Sequence, residues 1–378
     1  MTYHILFIAH QDSYKGGSNR SLLTLIKSLP ANLIPYVIVP AQGELSEKLS
    51  QENIPFDIVP HKTWIDYRSR PIRATLRWWI NHLLAHFYKF RTKQTVDLIY
   101  TNTLYSPFGA ILASQLKIPH LWHAREFINE DMGAEYDLGT QKAMQFISNF
   151  SDQIICNSHA VNSKMSRYIA DDKLSVVYNA VQQSPQLLKK HSSIIRQDKV
   201  INLCIIGKIS PHKGQIDAIK ALAYLRGYDV RLNIAGTGKA DYINELKTLA
   251  ESLAVQSQII WHGFIEIEPF LATMDISLVC SRSEAFGRVV VESMIAVCPV
   301  IGTNSGGIPE LIQDEQTGLL YEHGQEEQLA SQIKKLIQTP SLYKHISTQA
   351  LIYAKEQFTV KIYADKISGL IMKSVSHT

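Results

Sequence analysis

The chain has 378 residues, 46% hydrophobic and 19% charged, with 38 Lys and Arg against 34 Asp and Glu for a net charge of +4. That length implies two domains, the apolar fraction excludes a disordered chain, and so weak a positive balance argues against a dedicated nucleic-acid binder. Cys156, Cys204, Cys280 and Cys298 show no CxxC spacing and sit in or beside apolar runs. This argues against a zinc site or a disulfide framework, and for reduced thiols in the cytosol. The opening MTYHILFIAH reads as a strand and not as a signal peptide. No apolar run reaches the roughly 18 residues that would predict a transmembrane helix.

In chain order, short apolar runs predict strands at 4–9, 33–39, 55–59, 96–101, 120–123, 153–156 and 175–178. Amphipathic segments separate them, such as 18–29, where Leu22, Leu25, Ile26 and Leu29 share one face. Helices alternating with nearly continuous apolar strands predict a parallel sheet covered on both faces. Residues 183–199 are polar and aperiodic, and read as a linker. A second alternation predicts strands at 200–207, 230–235, 259–264, 276–280, 300–303 and 319–321, with a helical tail from Gln325. The expected architecture is α/β: two doubly wound Rossmann-like domains, 1–182 and 200–357, facing across a cleft. A C-terminal helix, 358–378, is expected to cross back to the first domain.

Ligands of open parallel sheets lie beyond the carboxyl ends of the strands, so the loops there carry the functional reading. Gly16-Gly17-Ser18-Asn19-Arg20 leads into a helix. It offers an anion close backbone approach and helix N–H groups, or it is a flexible loop with Ser18 as N-cap. It is not GxGxxG, which disfavours a dehydrogenase. In GKISPHKG, 207–214, Lys208 and Lys213 flank a turn and converge on one anionic group, or are two solvated lysines. In SRSEAFGRVVVE, 281–292, Glu284 lies in a loop and Glu292 on the helix that Gly287 opens. Two acceptors at different depths suit the hydroxyls of an elongated sugar-containing ligand; the alternative is a helix-start Glu and a solvated one. In TNSGGIPELI, 303–312, Gly306-Gly307 permits a backbone nest and Pro309 suits a first helical turn. In HAREF, 123–127, Arg125 and Glu126 bind an acceptor or orient His123, or form an ion pair within the loop.

Residues 68–93 hold Arg68, Arg70, Arg73, Arg77, Lys89, Arg91 and Lys93, with no acid between Asp66 and Asp97. Leu76, Trp79, Ile80, Leu83, Leu84, Phe87 and Phe90 fall on one helical face. The segment reads as an interfacial helix on an anionic membrane, with Trp78 and Trp79 at the headgroup boundary, or as a sheet-covering helix with a basic edge.

Together with IAGTGK at 234–239, WHGF at 261–264, MDISLVCSRSEAFGRVVVESM at 274–294 and PVIGTNSGGIPELI at 299–312, the second half resembles retaining glycosyltransferases of family 4. These have the GT-B fold and include enzymes of surface-polysaccharide assembly. Looser matches in the first half are the GG loop, HAREF, ICNS at 155–158 and VYNAV at 177–181. The resemblance implies that Glu284 contacts the transferred sugar, Glu292 the ribose hydroxyls, and Lys208 and Lys213 the donor diphosphate. Ser305, Gly306, Gly307 and Ile308 would offer backbone N–H groups nearby, and His123 would approach the donor sugar. Lys208 stands where Arg is commoner, giving up bidentate geometry, and Asn179-Ala180 departs from Asn-Gly. The catalytic set so implied is Glu284, His123, Lys213 and Lys208. Further donor contacts are Gly16, Gly17, Gly236, Phe264, Phe286, Gly287, Arg288 and Val289; Arg20, Arg125 and Glu126 lie on the acceptor side.

No Asp-x-Asp occurs, and lysines with helix N-termini can neutralise a diphosphate, so no metal or other cofactor is expected. The expected activity is transfer of a sugar from a nucleoside-diphosphate sugar to a hydroxyl of a lipid-linked or polysaccharide glycan, with retention. The expected location is cytoplasmic, peripheral on the inner face of the membrane. The alternatives are a catalytically silent sugar-nucleotide-binding subunit and a sugar-nucleotide epimerase of similar architecture.

Overall fold

The strands read as unbroken apolar runs because both faces of each sheet are covered. In β1 (Tyr3–Ile8), Ile5 and Phe7 join a core that includes Leu22 and Leu25 of helix Gly17–Ile26. Leu6 and Ile8 join a second core with Ala85, Tyr88, Phe108 and Ile111. Successive side chains point to opposite faces, so a strand buried on both has no polar face to show.

The computed structural model describes residues 1–14, 16–68, 70–91, 95–182 and 200–376. The expected linker, 183–199, lies outside the described residues. The chain divides into two units, Met1–Ala180 with Val360–Thr378, and Val181–Thr359.

In the first unit β1 is joined by β2 (Leu33–Val39), β3 (Phe56–Ile58), β4 (Ile65–Asp66), β5 (Leu98–Thr101), β6 (His120–Ala124), β7 (Glu135–Tyr136), β8 (Gln153–Cys156) and β9 (Leu174–Val176). Seven of these form a parallel sheet in the order β3-β2-β1-β5-β6-β8-β9. The second unit has β10 (Ile201–Ile206), β11 (Val230–Ala235), β12 (Ile259–Gly263), β13 (Ile276–Val279), β14 (Val300–Thr303) and β15 (Leu319–Tyr321). They form a parallel sheet in the order β12-β11-β10-β13-β14-β15. In both sheets the order reverses at the first strand of the unit. That switch point opens a crevice at the carboxyl ends, between β1 and β5 and between β10 and β13.

All thirteen predicted strands are present, with ends within two residues of expectation. The antiparallel pair β4–β7, Ile65 opposite Tyr136, was not foreseen, since two-residue strands leave no periodicity to read. Helix Val360–Ser376 packs on the first unit through Tyr363, Ala364, Ile367 and Ile371, one stripe at helical spacing. Each large side chain so buried stabilises that seat by roughly 1.5–3 kcal/mol. Beneath helix Pro71–Arg91, Trp64 stacks on Trp122 at 5.8 Å and on Trp78 at 6.5 Å. The indole N–H groups of Trp64 and Trp122 donate to Leu104 O and Thr103 O, both at 2.6 Å.

Candidate functional site

In the second unit the loops after β10, β13 and β14 meet backbone to backbone, which is why the sequence places glycine there. Gly214 has φ +66°, and a Cβ on it would lie 1.9 Å from Cys280 O. Gly306 has φ +61°, and its Cβ would lie 2.4 Å from Glu284 O. Both positions need a left-handed backbone and admit no side chain. The side chain of buried Gln215 braces the first loop, with Nε2 donating to Lys208 O at 3.1 Å and Oε1 accepting from Ser210 N at 3.3 Å.

This frame brings Lys213 and Glu284 together. The Lys213 ammonium donates to Oε1 of Glu284, which also accepts from Ser281 Oγ at 2.7 Å. Lys208, on the same loop, is exposed. Helix Arg288–Ile295 starts after Gly287, and within it Arg288 Nη2 lies 3.1 Å from Oε1 of Glu292, which is buried. The two carboxylates singled out in the sequence thus each hold a cation. Ser305 Oγ donates to Arg282 O at 2.7 Å, and Thr303 Oγ1 to Ser281 O at 2.7 Å. Of the N–H groups expected to face a ligand, that of Gly307 goes to Glu284 O at 2.7 Å and that of Ile308 to Ser305 O at 3.4 Å. Phe286 is buried edge-on against Phe358, whereas Phe264, beyond β12, is 64% exposed. Gly236 follows β11, outside these three loops, and Val289 is the second residue of helix Arg288–Ile295.

In the first unit His123 is the fourth residue of β6, inside the strand, and is fully buried. Its Nδ1 is hydrogen-bonded to the Tyr100 hydroxyl of β5, and its buried Nε2 has no partner among the described residues. Burial, with Arg125 close by, holds the imidazole well below its usual pKa, so it is neutral. Burial keeps the Tyr100 hydroxyl protonated.

Arg125 does not reach the surface. Its Nε donates to Asn102 O at 3.1 Å and Asn102 Oδ1 at 3.0 Å, Nη2 donates to Tyr363 Oη at 2.7 Å, and Nη1 donates to Asn179 Oδ1. It ties β6 to the C-terminal helix, and this corrects its placing among acceptor contacts. Glu126 Oε2 accepts from Leu104 N and Arg125 N, both at 3.3 Å. The N-cap of the first helix is Gly16, not Ser18, with no side-chain cap; Gly17 begins the helix and Arg20 lies on its first turn. Asn19 holds the preceding loop through Gln11 O and Ser13 O, both at 2.9 Å. Tyr100, Ser281 and Gln215 carry no role in the sequence reading: Tyr100 lies inside a strand, Ser281 opens a motif read for its carboxylates, and Gln215 follows one.

Helix Pro71–Arg91 also corrects two expectations. Arg77 is buried and paired with Asp66 and Asp137, and Trp78 turns inward to Trp64 and Phe146. Neither is available to a headgroup. The four cysteines are free and buried, and burial pushes Cys156 and Cys280 up to about 12. Among the described residues no three His, Cys, Asp or Glu side chains group as metal ligands, and no helix is long and apolar enough to cross a membrane.

Similarities to known proteins cover both units. Residues 188–352 match the family model described as Glycosyl transferases group 1, and residues 15–184 that of Glycosyltransferase Family 4. The chain is 24% identical over 298 residues to the alpha-monoglucosyldiacylglycerol synthase of Streptococcus pneumoniae, covering 73% of this chain and 67% of that one. It is 29% identical over 217 residues to the N-acetyl-alpha-D-glucosaminyl L-malate synthase of Bacillus anthracis, covering 55% and 56%. In fold it is similar to the crystal structure of Anabaena HepE in complex with UDP and glucose, with a TM-score of 0.79 at 23% identity over 98% of this chain and 100% of that one.

Proposed function

The chain is a glycosyltransferase of the family 4 type with the GT-B fold, and from that premise we propose that it transfers a sugar from a nucleoside diphosphate to a hydroxyl of a lipid-linked or polysaccharide glycan, with retention. It works without a metal, on the cytoplasmic side, as a peripheral protein of the membrane surface. The observation that carries the reading is the Lys213–Glu284 pair at the switch point of the second sheet, with Lys208 exposed on the same loop.

In the reaction the bond from the anomeric carbon to the diphosphate breaks, and a bond to the acceptor oxygen forms on the same face. The acceptor's proton passes to the departing diphosphate oxygen. Negative charge grows on the diphosphate as the sugar becomes oxocarbenium-like, so fixed cations beside the leaving group lower the barrier. Lys213 and Lys208 carry that charge. Glu284 meanwhile holds Lys213 in place and offers its carboxylate to the sugar hydroxyls. Glu292, steadied by Arg288, accepts from the ribose. The neutral His123 imidazole directs an N–H at the donor sugar. Support for a nucleoside diphosphate comes from the UDP named in the HepE structure. Support for a lipid acceptor comes from the diacylglycerol in the name of the S. pneumoniae relative, although the B. anthracis relative is named for malate.

The test incubates the purified chain with labelled nucleotide sugars and a bacterial membrane-lipid extract. Acceptor-dependent transfer giving the donor's own anomer supports the reading. Nucleotide binding without transfer would return the silent subunit, and product without acceptor the epimerase.

A further inference from the structure

Helix Pro71–Arg91 buries one side and turns an apolar row outward. Arg77, Asn81, Ala85 and Tyr88 are buried. Their side is pinned by the Asp66 and Asp137 carboxylates, by Asn81 bonded to Lys62 N at 2.8 Å and O at 3.0 Å, and by Tyr88 bonded to Asp57 at 3.0 Å. On the opposite side Ile72, Leu76, Trp79, Leu83, Phe87 and Phe90 are 53–87% exposed. Their spacing of three and four residues makes one continuous stripe along a helix about 30 Å long. Single exposed apolar residues are ordinary, but six large ones in a row mark a surface that something covers.

We propose that this stripe lies flat in the headgroup region of an anionic lipid bilayer, with Trp79 and Phe87 inserted and the flanking cations on the phosphates. The charge pattern selects this occupant. Arg68, Arg70 and Arg73 are exposed at the amino end and Lys89 near the other, and no acid occurs from 67 to 96. Arg73 lies 3.9 Å from Asp66 and Lys89 donates to Gln115 O at 2.8 Å, which fixes both beside the stripe. A second copy docked two-fold on the same stripe would bring these cations against their like, whereas an anionic surface attracts them. The helix lies on the membrane and does not span it, matching the lack among described residues of any helix apolar enough to cross. The inference deepens the lipid-acceptor reading by naming the surface that meets the membrane, and rests on that reading for its purpose but not for its test.

The test is flotation of the full chain with phosphatidylcholine vesicles, with and without phosphatidylglycerol, in the absence of nucleotide. Wild type will float with the anionic vesicles and lose binding as salt rises. The double variant Trp79→Ser with Phe87→Ser, at exposed positions and checked for an unchanged unfolding midpoint, will bind at least about tenfold more weakly. Arg70→Glu with Arg73→Glu will lose the preference for phosphatidylglycerol. Wild type that ignores anionic vesicles, or an apolar double variant that binds equally well, overturns the proposal. So does a wild-type dimer that the apolar variant breaks without any vesicle binding. Absent vesicle binding with intact lipid-acceptor transfer sinks this inference alone; vesicle binding without such transfer sinks the acceptor reading alone.

Discussion

The hydroxyl of Tyr100 on β5 is hydrogen-bonded to Nδ1 of His123 on the neighbouring β6, and both side chains are fully buried. The Arg125 cation acts on the same hydroxyl and favours the arrangement in which Tyr100 donates its proton to the imidazole. A neutral ring that accepts at Nδ1 carries its proton on Nε2, which has no partner among the described residues. In the proposed reaction Tyr100 is therefore a positioning residue that aims the His123 N–H. Tyr100→Phe will lower kcat about tenfold, equivalent to about 1.4 kcal/mol of barrier, with nucleoside diphosphate affinity unchanged by calorimetry. Turnover within about twofold of wild type would remove the tautomer from the mechanism.

Lys213 and Glu284 have separate assignments in the proposed reaction but share one ion pair in the structure. Glu284→Gln keeps the size of the side chain and removes the charge that holds Lys213. Transfer will fall roughly 10²–10³-fold, the usual cost of losing a positioned electrostatic contact. Lys213→Ala will weaken nucleoside diphosphate binding as well as turnover. Lys213→Ala with unchanged donor binding and unchanged kcat would leave Lys213 as a surface lysine tied to Glu284 and nothing more.

Charge on Lys208 and Lys213 also makes a statement about cations. Activity will persist when EDTA is added in excess. Complete inhibition, reversed by one divalent metal, would show that these lysines do not suffice for the leaving group.

The strands and loops of this fold were legible for two physical reasons. Burial on both faces forces unbroken apolar runs, and backbone crossings such as Gly214 on Cys280 force glycine. Of the candidate site, the sequence singles out Glu284 and Lys213 by side-chain type, and the structure brings the two together. What could not be read is direction. Arg70, Arg73 and Arg77 look alike in the sequence, yet only Arg77 turns inward, toward Asp137, a partner sixty residues away. Phe286 lies inside the most informative motif and packs against Phe358, while Arg125 in HAREF closes on Tyr363 of the last helix. Partners so distant leave no trace in local spacing.

Burial of histidines fixes the acid sensitivity of the first unit. His61 and His120 are lowered to about 4 and His10 to about 3, in each case chiefly by burial. Unfolded, each returns to about 6.5. Below that pH the unfolded chain binds protons that the folded chain refuses, so stability is full above about pH 6.5 and falls as pH drops toward 4. At pH 5 each histidine costs roughly 2 kcal/mol. Four of the five tryptophans, Trp64, Trp78, Trp79 and Trp122, lie in this unit, so tryptophan fluorescence reports chiefly its unfolding. Urea midpoints will drop steadily between pH 7 and pH 5; a flat profile over that range would mean the rings are solvated.

Arg77 offers the sharpest contrast between two residues that sequence alone treats as equals. Its guanidinium lies between Asp66, at 3.4 Å, and the closer Asp137, and its Nη1 donates to Ile65 O at 3.4 Å. Ile65 belongs to β4 and Asp137 follows β7, so the arginine clamps both strands of the small antiparallel pair under the helix. The Asp137 side chain is only 6% exposed, and burial pushes its carboxyl up even with Arg77 beside it. Removing the cation leaves that carboxyl in a site where water cannot compensate it. Arg77→Met will destabilise the protein by about 3–5 kcal/mol, the range for breaking one half of a buried pair. Arg73→Met, four residues earlier and more than half exposed, will change stability by less than about 1 kcal/mol. Urea denaturation of both variants at pH 7.5 decides the matter. Equal and small losses would place Arg77 on the solvent edge with its neighbours and restore it to the basic rim that Arg68, Arg70 and Arg73 form.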